Sequence, residues 1–304
     1  MTRDSASVDS TSMLDSDYRA FWWNDDFIEL LASRLGLADA TNVLDVGCGV
    51  GHWSATLAPH LSRASRLIGV DATETLLARA RSRLTDFFPA DRLELHHARA
   101  ERLPFDDESF DFVTCQTLLI HLADPLAAVR EMRRVTRHGG TILAVEPHIL
   151  AHQVVPHTHS PVEVEYWIER VHFFLTCMRG REALGHGNFL VGERVPNFLR
   201  EAGFAEVRGW LSDKVTLVTP PYDDDEGASL INSIRDLHER AAYPFPREVG
   251  RRYYVAGGGA PEEFDSAWKR RRDDQAAFLQ LCDEGIGSAT VSQLLYLVAG
   301  RALT

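Results

Sequence analysis

The run Val43-Leu44-Asp45-Val46-Gly47-Cys48-Gly49-Val50-Gly51 sets a carboxylate at the end of an apolar segment and three glycines at alternate positions after it. Trp53, Leu57 and Leu61 then recur at helical spacing, so the run reads as strand, glycine turn and helix N-terminus. Such a turn brings bare backbone N–H groups up to a ligand. A second apolar run, Leu67-Ile68-Gly69-Val70, ends in Asp71, whose carboxylate can accept both hydroxyls of a ribose. The spacing is Gly-x-Gly-x-Gly, whereas a nicotinamide dinucleotide calls for Gly-x-Gly-x-x-Gly. His52 stands where the third glycine of that fingerprint belongs and is too bulky for close helix–strand packing, which disfavours a nicotinamide oxidoreductase.

Further along, Cys115-Gln116-Thr117 closes a fourth apolar segment, with His121 one helical turn beyond. Glu146-Pro147-His148 leaves a fifth. His121, Glu146 and His148 are the groups able to orient an acceptor or remove a proton from it. His148, His152, His157 and His159 fall within twelve residues, and imidazoles can bind a divalent metal. Their spacing crosses Pro156 with no interleaved carboxylate, however, so the reading is a His-lined segment and no metal site. Cys115 reads as a small core residue.

The elements that would position these residues alternate. Strands are expected at Val43–Val46, Leu67–Val70, Leu93–His96, Phe110–Cys115 and Thr141–Glu146, and helices at His52–Leu61, Thr73–Phe87 and Pro125–Thr136. That alternation predicts a parallel sheet with helices on both faces, and ligands of such sheets sit beyond the carboxyl ends of the strands. Tyr18 to Leu35 reads as one amphipathic helix. Ala205–Leu211 reads as a sixth strand extended by Val215–Val218, and the run from Leu294 to Arg301 as the last strand. Helical patterns also fall in Pro147–Gly192, around Ala228–Ala242 and at Pro261–Cys282.

The 304 residues carry a formal charge of −12, which argues against a protein that tracks phosphate backbones. Four scattered cysteines with no C-x-x-C pair suit a reducing cytosol. No apolar run approaches the ~20 residues of a membrane span, so a cytoplasmic protein with no membrane partner is expected. Residues 1–16, rich in Ser, Thr and Asp, read as a disordered tail. Thr219-Pro220-Pro221-Tyr222 resembles the loop of enzymes that methylate adenine amines, but it follows the wrong strand, and no nucleic-acid partner is expected.

Leu44-Asp45-Val46-Gly47-Cys48-Gly49, Gly69-Val70-Asp71, Leu103-Pro104-Phe105, Ser109-Phe110-Asp111 and His138-Gly139-Gly140, in that order, resemble the class I S-adenosylmethionine-dependent methyltransferases. The resemblance is closest to the small-molecule, ubiquinone/menaquinone-type branch, and runs from about Asn42 to Pro147. It implies a Rossmann-like α/β fold, a doubly wound, seven-stranded, mostly parallel sheet. A helical lid at 147–192 and a helical insertion at 220–288 would complete a methyltransferase domain spanning 17–304. S-adenosyl-L-methionine is the implied cofactor. Asp45, Gly47, Gly49 and Gly51 would meet its amino-acid part, and Asp71 with Ala72 its ribose. Ala100 and Glu101 would meet the adenine, with Arg99 standing where the family usually has Asp and able to stack on the base. Gln116 and Thr117 would face the methionine portion, and Tyr18 and Trp23 would cover the cofactor. The implied activity is methyl transfer to an O, N or C centre of a small metabolite. A peptide methyltransferase and a cofactor-binding, non-catalytic relative are the alternatives, and a homo-oligomer stays open.

Overall fold

The computed structural model describes residues 17–147, 155–157, 163–242, 245–292 and 294–303. In chain order the first elements are α1 (Asp25–Leu35), β1 (Asn42–Val46), α2 (His52–Leu57), β2 (Arg66–Asp71), α3 (Glu74–Leu84) and β3 (Leu93–His97). Next come β4 (Phe110–Gln116), α4 (Pro125–Val135), β5 (Thr136–Pro147), β6 (Val155–His157), α5 (Val164–Ala183) and α6 (Val195–Glu201). The remainder are β7 (Ala205–Leu211), β8 (Val215–Val218), α7 (Asp225–Glu239), α8 (Arg247–Ala256), α9 (Pro261–Asp283), β9 (Ser288–Ser292) and β10 (Leu295–Arg301).

The chain divides into two compact units. One comprises Trp23–Ile149, Phe189–Asp213 and Leu294–Thr304 and contains the seven-stranded sheet, in the order β3-β2-β1-β4-β5-β10-β7. Strands β1 to β5 pair in parallel, and β10 runs antiparallel between β5 and β7. The expected mostly parallel, seven-stranded α/β sheet is therefore present. From β1 the chain winds outward to β2 and β3, then returns to start β4 on the other side. The carboxyl ends of β1 and β4 thus flank the switch point, where open sheets of this kind bind ligands. Both faces of the central strands are covered: Leu44, Val113 and Ile142 on one face and Val43, Phe112 and Leu143 on the other are buried.

Local chemistry sets the element ends. Asp124 caps α4 by accepting from the Ala127 amide at 3.0 Å, with Pro125 in the first turn. The helix expected to reach Leu61 stops at Leu57 and tightens into a 3₁₀ turn over Ala58–His60, because Pro59 has no N–H to continue the ladder. The single helix expected from Tyr18 to Leu35 is also corrected. A 3₁₀ turn covers Asp17–Phe21, Asn24 is extended, and α1 begins afresh with Asp25 and Asp26 in its first turn, where acids suit the helix dipole.

The other unit comprises Met1–Trp22, Leu150–Asn188 and Lys214–Gln293. It is mainly helical, with the small antiparallel sheet β6-β9-β8. Val215–Val218 therefore does not extend the sixth strand. The ladder between β7 and β10 closes at Ser212, whose amide donates to the Leu295 carbonyl, and the next strand pairs with β9 instead. An aromatic stack of Tyr254, Phe173, Phe264 and Trp268, with successive ring centres 5.3, 5.6 and 5.4 Å apart, holds α5, α8 and α9 together. Helix α8 and strand β9 were not expected from the sequence. Thr219-Pro220-Pro221-Tyr222 lies in this unit, where the Tyr222 hydroxyl donates to the Gly287 carbonyl. The expected tail, residues 1–16, lies outside the described residues.

Candidate functional site

The glycine turn is built from β2 as much as from β1. The Gly47 and Cys48 amides both donate to the Val70 carbonyl, at 2.7 and 2.9 Å, which holds the turn against the neighbouring strand. The Gly49 amide then donates to Asp71 Oδ2 at 2.9 Å, while Asp71 Oδ1 accepts from the Thr73 amide at 2.8 Å. A carboxylate at one strand end is thereby aimed at the glycine turn of the next. Each of its oxygens keeps a second lone pair for a ligand hydroxyl. Burial raises the Asp71 carboxyl above its ordinary pKa, with the Gly49 and Thr73 hydrogen bonds pulling the other way.

Gly47 and Gly49 are both left-handed, at φ +72° and +53°, but they are glycine for different reasons. A Cβ on Gly47 would meet Leu118 Cδ1 at 2.6 Å, so this glycine exists for packing. A Cβ on Gly49 would meet nothing within 4 Å, so the space in front of it is an open cradle.

Asp45 is buried. Its Oδ2 accepts from the Ser54 hydroxyl on α2 at 2.5 Å, and its Oδ1 is buried with no hydrogen-bond partner among the described residues. Burial pushes its carboxyl up to about 7; the Ser54 hydrogen bond opposes this and the nearby Asp71 adds to it. Two acids close to the turn disfavour an anionic group such as a pyrophosphate and favour a cationic one.

The exits of β2 and β3 are tied together: His97 Nε2 lies 2.9 Å from the Ala72 carbonyl, and the Ala98 amide donates to the Asp71 carbonyl. Arg99 is largely exposed and pairs with Glu101 at 2.9 Å, next to the buried Ala100. Glu131 and Arg134 on α4 staple the loop that follows. Arg134 donates to the carbonyls of Leu103 (3.0 Å) and Phe105 (2.7 Å), and Glu131 accepts from the Leu103 amide at 2.9 Å. The Arg134 hydrogen bond holds the Glu131 carboxyl below its usual range. Sequence reading passed over this pair. Its signal was the i, i+3 acid–base spacing on an expected helix.

At the exit of β4, Gln116 is buried and Thr117 is left-handed at φ +52°, its amide donating to the Val145 carbonyl at 2.8 Å. Glu146 at the end of β5 is fully buried. Its Oε1 accepts from the Leu118 and Leu119 amides at 3.0 and 2.7 Å, and its Oε2 from the Ile120 amide at 3.4 Å. Burial pushes the Glu146 carboxyl up to about 8, against the pull of those three amides. His121 closes the same turn, with an exposed side chain 5.9 Å edge-on from the Phe189 ring.

The remaining expected residues fall in both units. Trp23 packs on Phe27 and Trp53, at 6.3 and 5.2 Å, and the Trp53 indole donates to Thr114. Tyr18 belongs to the helical unit, where its hydroxyl lies 2.7 Å from that of Thr216. His148, His152 and His159 lie outside the described residues, and His157 is described only through its backbone pairing with Ser288. Among the described residues no group of three or more His, Cys, Asp or Glu could hold a metal, and no helix is long and apolar enough to cross a membrane.

Residues 44–144 match the family model for the methyltransferase domain. The demethylmenaquinone methyltransferase of Oceanobacillus iheyensis is 31% identical over 141 residues, which is 46% of this chain and 57% of that protein. The demethylmenaquinone methyltransferase of Bacillus subtilis is 32% identical over 124 residues, 41% of this chain and 51% of that protein. The chain thus spans little more than half the length of these curated relatives. Among solved structures, the YcgJ protein of Bacillus subtilis superposes with a TM-score of 0.51 at 18% identity, covering 91% of this chain and 98% of that one. That likeness is one of fold.

Proposed function

We propose that this chain, whose residues 44–144 carry a methyltransferase domain, is an S-adenosylmethionine-dependent enzyme that methylates an O, N or C centre of a small molecule. One observation carries the reading: the Asp71 carboxylate is locked onto the Gly49 amide beside an open cradle. Asp71, with Ala72, holds the ribose hydroxyls. Gly49 leaves room for the methionine part, and Gly47 and Gly51, packed against Leu118 and Leu84, shape the turn around it. Asp45 orders the turn through Ser54. Ala100 forms the adenine floor, edged by Glu101 and Arg99, and the Gln116–Thr117 backbone borders the methionine portion.

The cofactor supplies an electrophilic methyl group on a sulfonium, and the chain's residues align the acceptor and exclude water. His121, exposed at the end of its turn, is the proposed proton acceptor where the reaction needs one, with His148 as the second candidate. Glu146, buried under three amides, is out of reach of an acceptor. Trp23 supports the site by packing on Trp53, the second residue of α2. Residues 147–192 and 220–288 lie outside the family match, so acceptor choice is assigned to them. The family match falls on residues 44–144 and speaks first for the methyl donor. On the relatives' account, a demethylmenaquinone-type quinol is the first acceptor to assay.

The test is calorimetric titration of S-adenosylmethionine into the wild-type protein and Asp71→Asn. Saturable binding weakened at least tenfold by the substitution is expected. Absence of saturable heat with the wild type refutes the proposal. Methyl transfer to a panel of quinols, phenols and amines, read as S-adenosylhomocysteine formed, then ranks the acceptors.

A further inference from the structure

We infer that Glu146 is a positioning residue that acts on the cofactor site through the turn after β4, an inference that rests on the cofactor reading above. The turn begins at Thr117, a β-branched residue held at φ +52°, where residues with a Cβ are strained. A strained backbone persists only when its surroundings over-determine it. Here the Val145 carbonyl takes the Thr117 amide, and the Glu146 carboxylate takes the next three amides in succession, those of Leu118, Leu119 and Ile120. Three consecutive N–H groups converging on one carboxyl group form a nest whose occupant belongs to the chain itself.

The clamp has a direct route to the glycine turn. Leu118, whose amide Glu146 holds, puts its Cδ1 2.6 Å from where a Gly47 side chain would begin. The backbone fixed by β5 therefore sets how closely Leu118 seats against β1's turn, and with it the shape of the cradle at Gly49. His121 closes the same short 3₁₀ segment, so its ring position also follows from the clamp. Full burial of Glu146 removes it from contact with any acceptor and leaves this indirect role.

The test uses the full chain and three substitutions. Glu146→Gln keeps the side-chain size but places an amide donor among the three N–H groups. Leu118→Ala leaves the clamp and removes its contact with Gly47. Val129→Ala, a buried position on α4, is the control for a general loss of stability. Binding of S-adenosylmethionine is read by calorimetry and stability by thermal melting. Glu146→Gln and Leu118→Ala are each expected to raise the dissociation constant at least fivefold. Val129→Ala is expected to lower the melting temperature comparably with the constant within twofold of wild type. Unchanged affinity in Glu146→Gln or Leu118→Ala overturns the inference, as does an equal loss in Val129→Ala. Wild-type protein that fails to bind overturns the cofactor reading and this inference together.

Discussion

Replacing Gly47 and Gly49 by alanine, one at a time, separates the packing of the glycine turn from its use. Both residues sit at positive φ, so each alanine carries the left-handed penalty of roughly 1–2 kcal/mol. Gly49→Ala adds nothing further, since no atom lies within 4 Å of the new Cβ. Gly47→Ala also drives its Cβ into Leu118, whose nearest carbons lie at 2.6, 3.1 and 3.2 Å, and overpacking of that kind costs about 1–3 kcal/mol more. The expected losses are ~1–2 kcal/mol for Gly49→Ala and ~2–5 kcal/mol for Gly47→Ala, read from urea midpoints at constant slope. Affinity should rank the other way for each unit of stability lost. Gly49→Ala fills the cradle and should weaken S-adenosylmethionine binding at least tenfold, worth ~1.4 kcal/mol, in a protein that remains folded. Equal stability losses for the two variants would refute the Leu118 contact. A Gly49→Ala protein that binds like wild type would refute the cradle.

Three further outcomes follow from the same geometry. Asp71→Asn cannot accept at both the Gly49 and Thr73 amides without turning a donor toward one of them. Leaving such a group unmatched costs about 1–3 kcal/mol, so a melt should show a stability loss of that order beside the loss of affinity; unchanged melting counts against the bonds. Asp45 gives a pH dependence. Its carboxyl is raised from 3.8 to about 7 in the folded chain, so the native state holds a proton that the unfolded state has released. This group's contribution to stability therefore falls as pH rises from about 4 to 7, by up to ~1.4 kcal/mol per unit. Asp45→Asn should make the decline of urea midpoints from pH 5 to 7 less steep, leaving the part due to Glu146, whose carboxyl is raised to about 8. An unaltered slope contradicts this assignment. Finally, burial raises the Cys48, Cys115 and Cys177 thiols well above their ordinary range. Mass spectrometry after brief alkylation of native protein at pH 8 should find these three unmodified, and rapid labelling of any of them disagrees.

The donor half was legible because its signals are local. A glycine run after an apolar strand, an acid ending the next strand, and proline-led helix starts each constrain the backbone within a few residues. The sheet's strand boundaries came within a residue or two except at β5, which begins at Thr136 and not Thr141. Asp71's aim at Gly49 followed from topology once two adjacent parallel strands were granted. Less legible was whatever depends on which polar groups share a buried space. Glu146 looked like a group leaving the sheet at the mouth of the site, yet it faces inward, because three amides of a distant turn need an acceptor there. Helix α8 escaped notice because its buried tyrosines, Tyr253 and Tyr254, stand among arginines with no apolar repeat.

By itself the sequence determined a mostly parallel sheet wound about a glycine turn and the pair of acids beside that turn, since short-range periodicity and backbone freedom specify both. Only the tertiary structure decided that Gly47 serves packing while Gly49 leaves a cradle, that Asp45 is bound to Ser54, and that Glu146 grips a backbone rather than an acceptor. Those distinctions turn on distances between side chains and amides far apart in the chain, which burial and strand register set and no local pattern encodes.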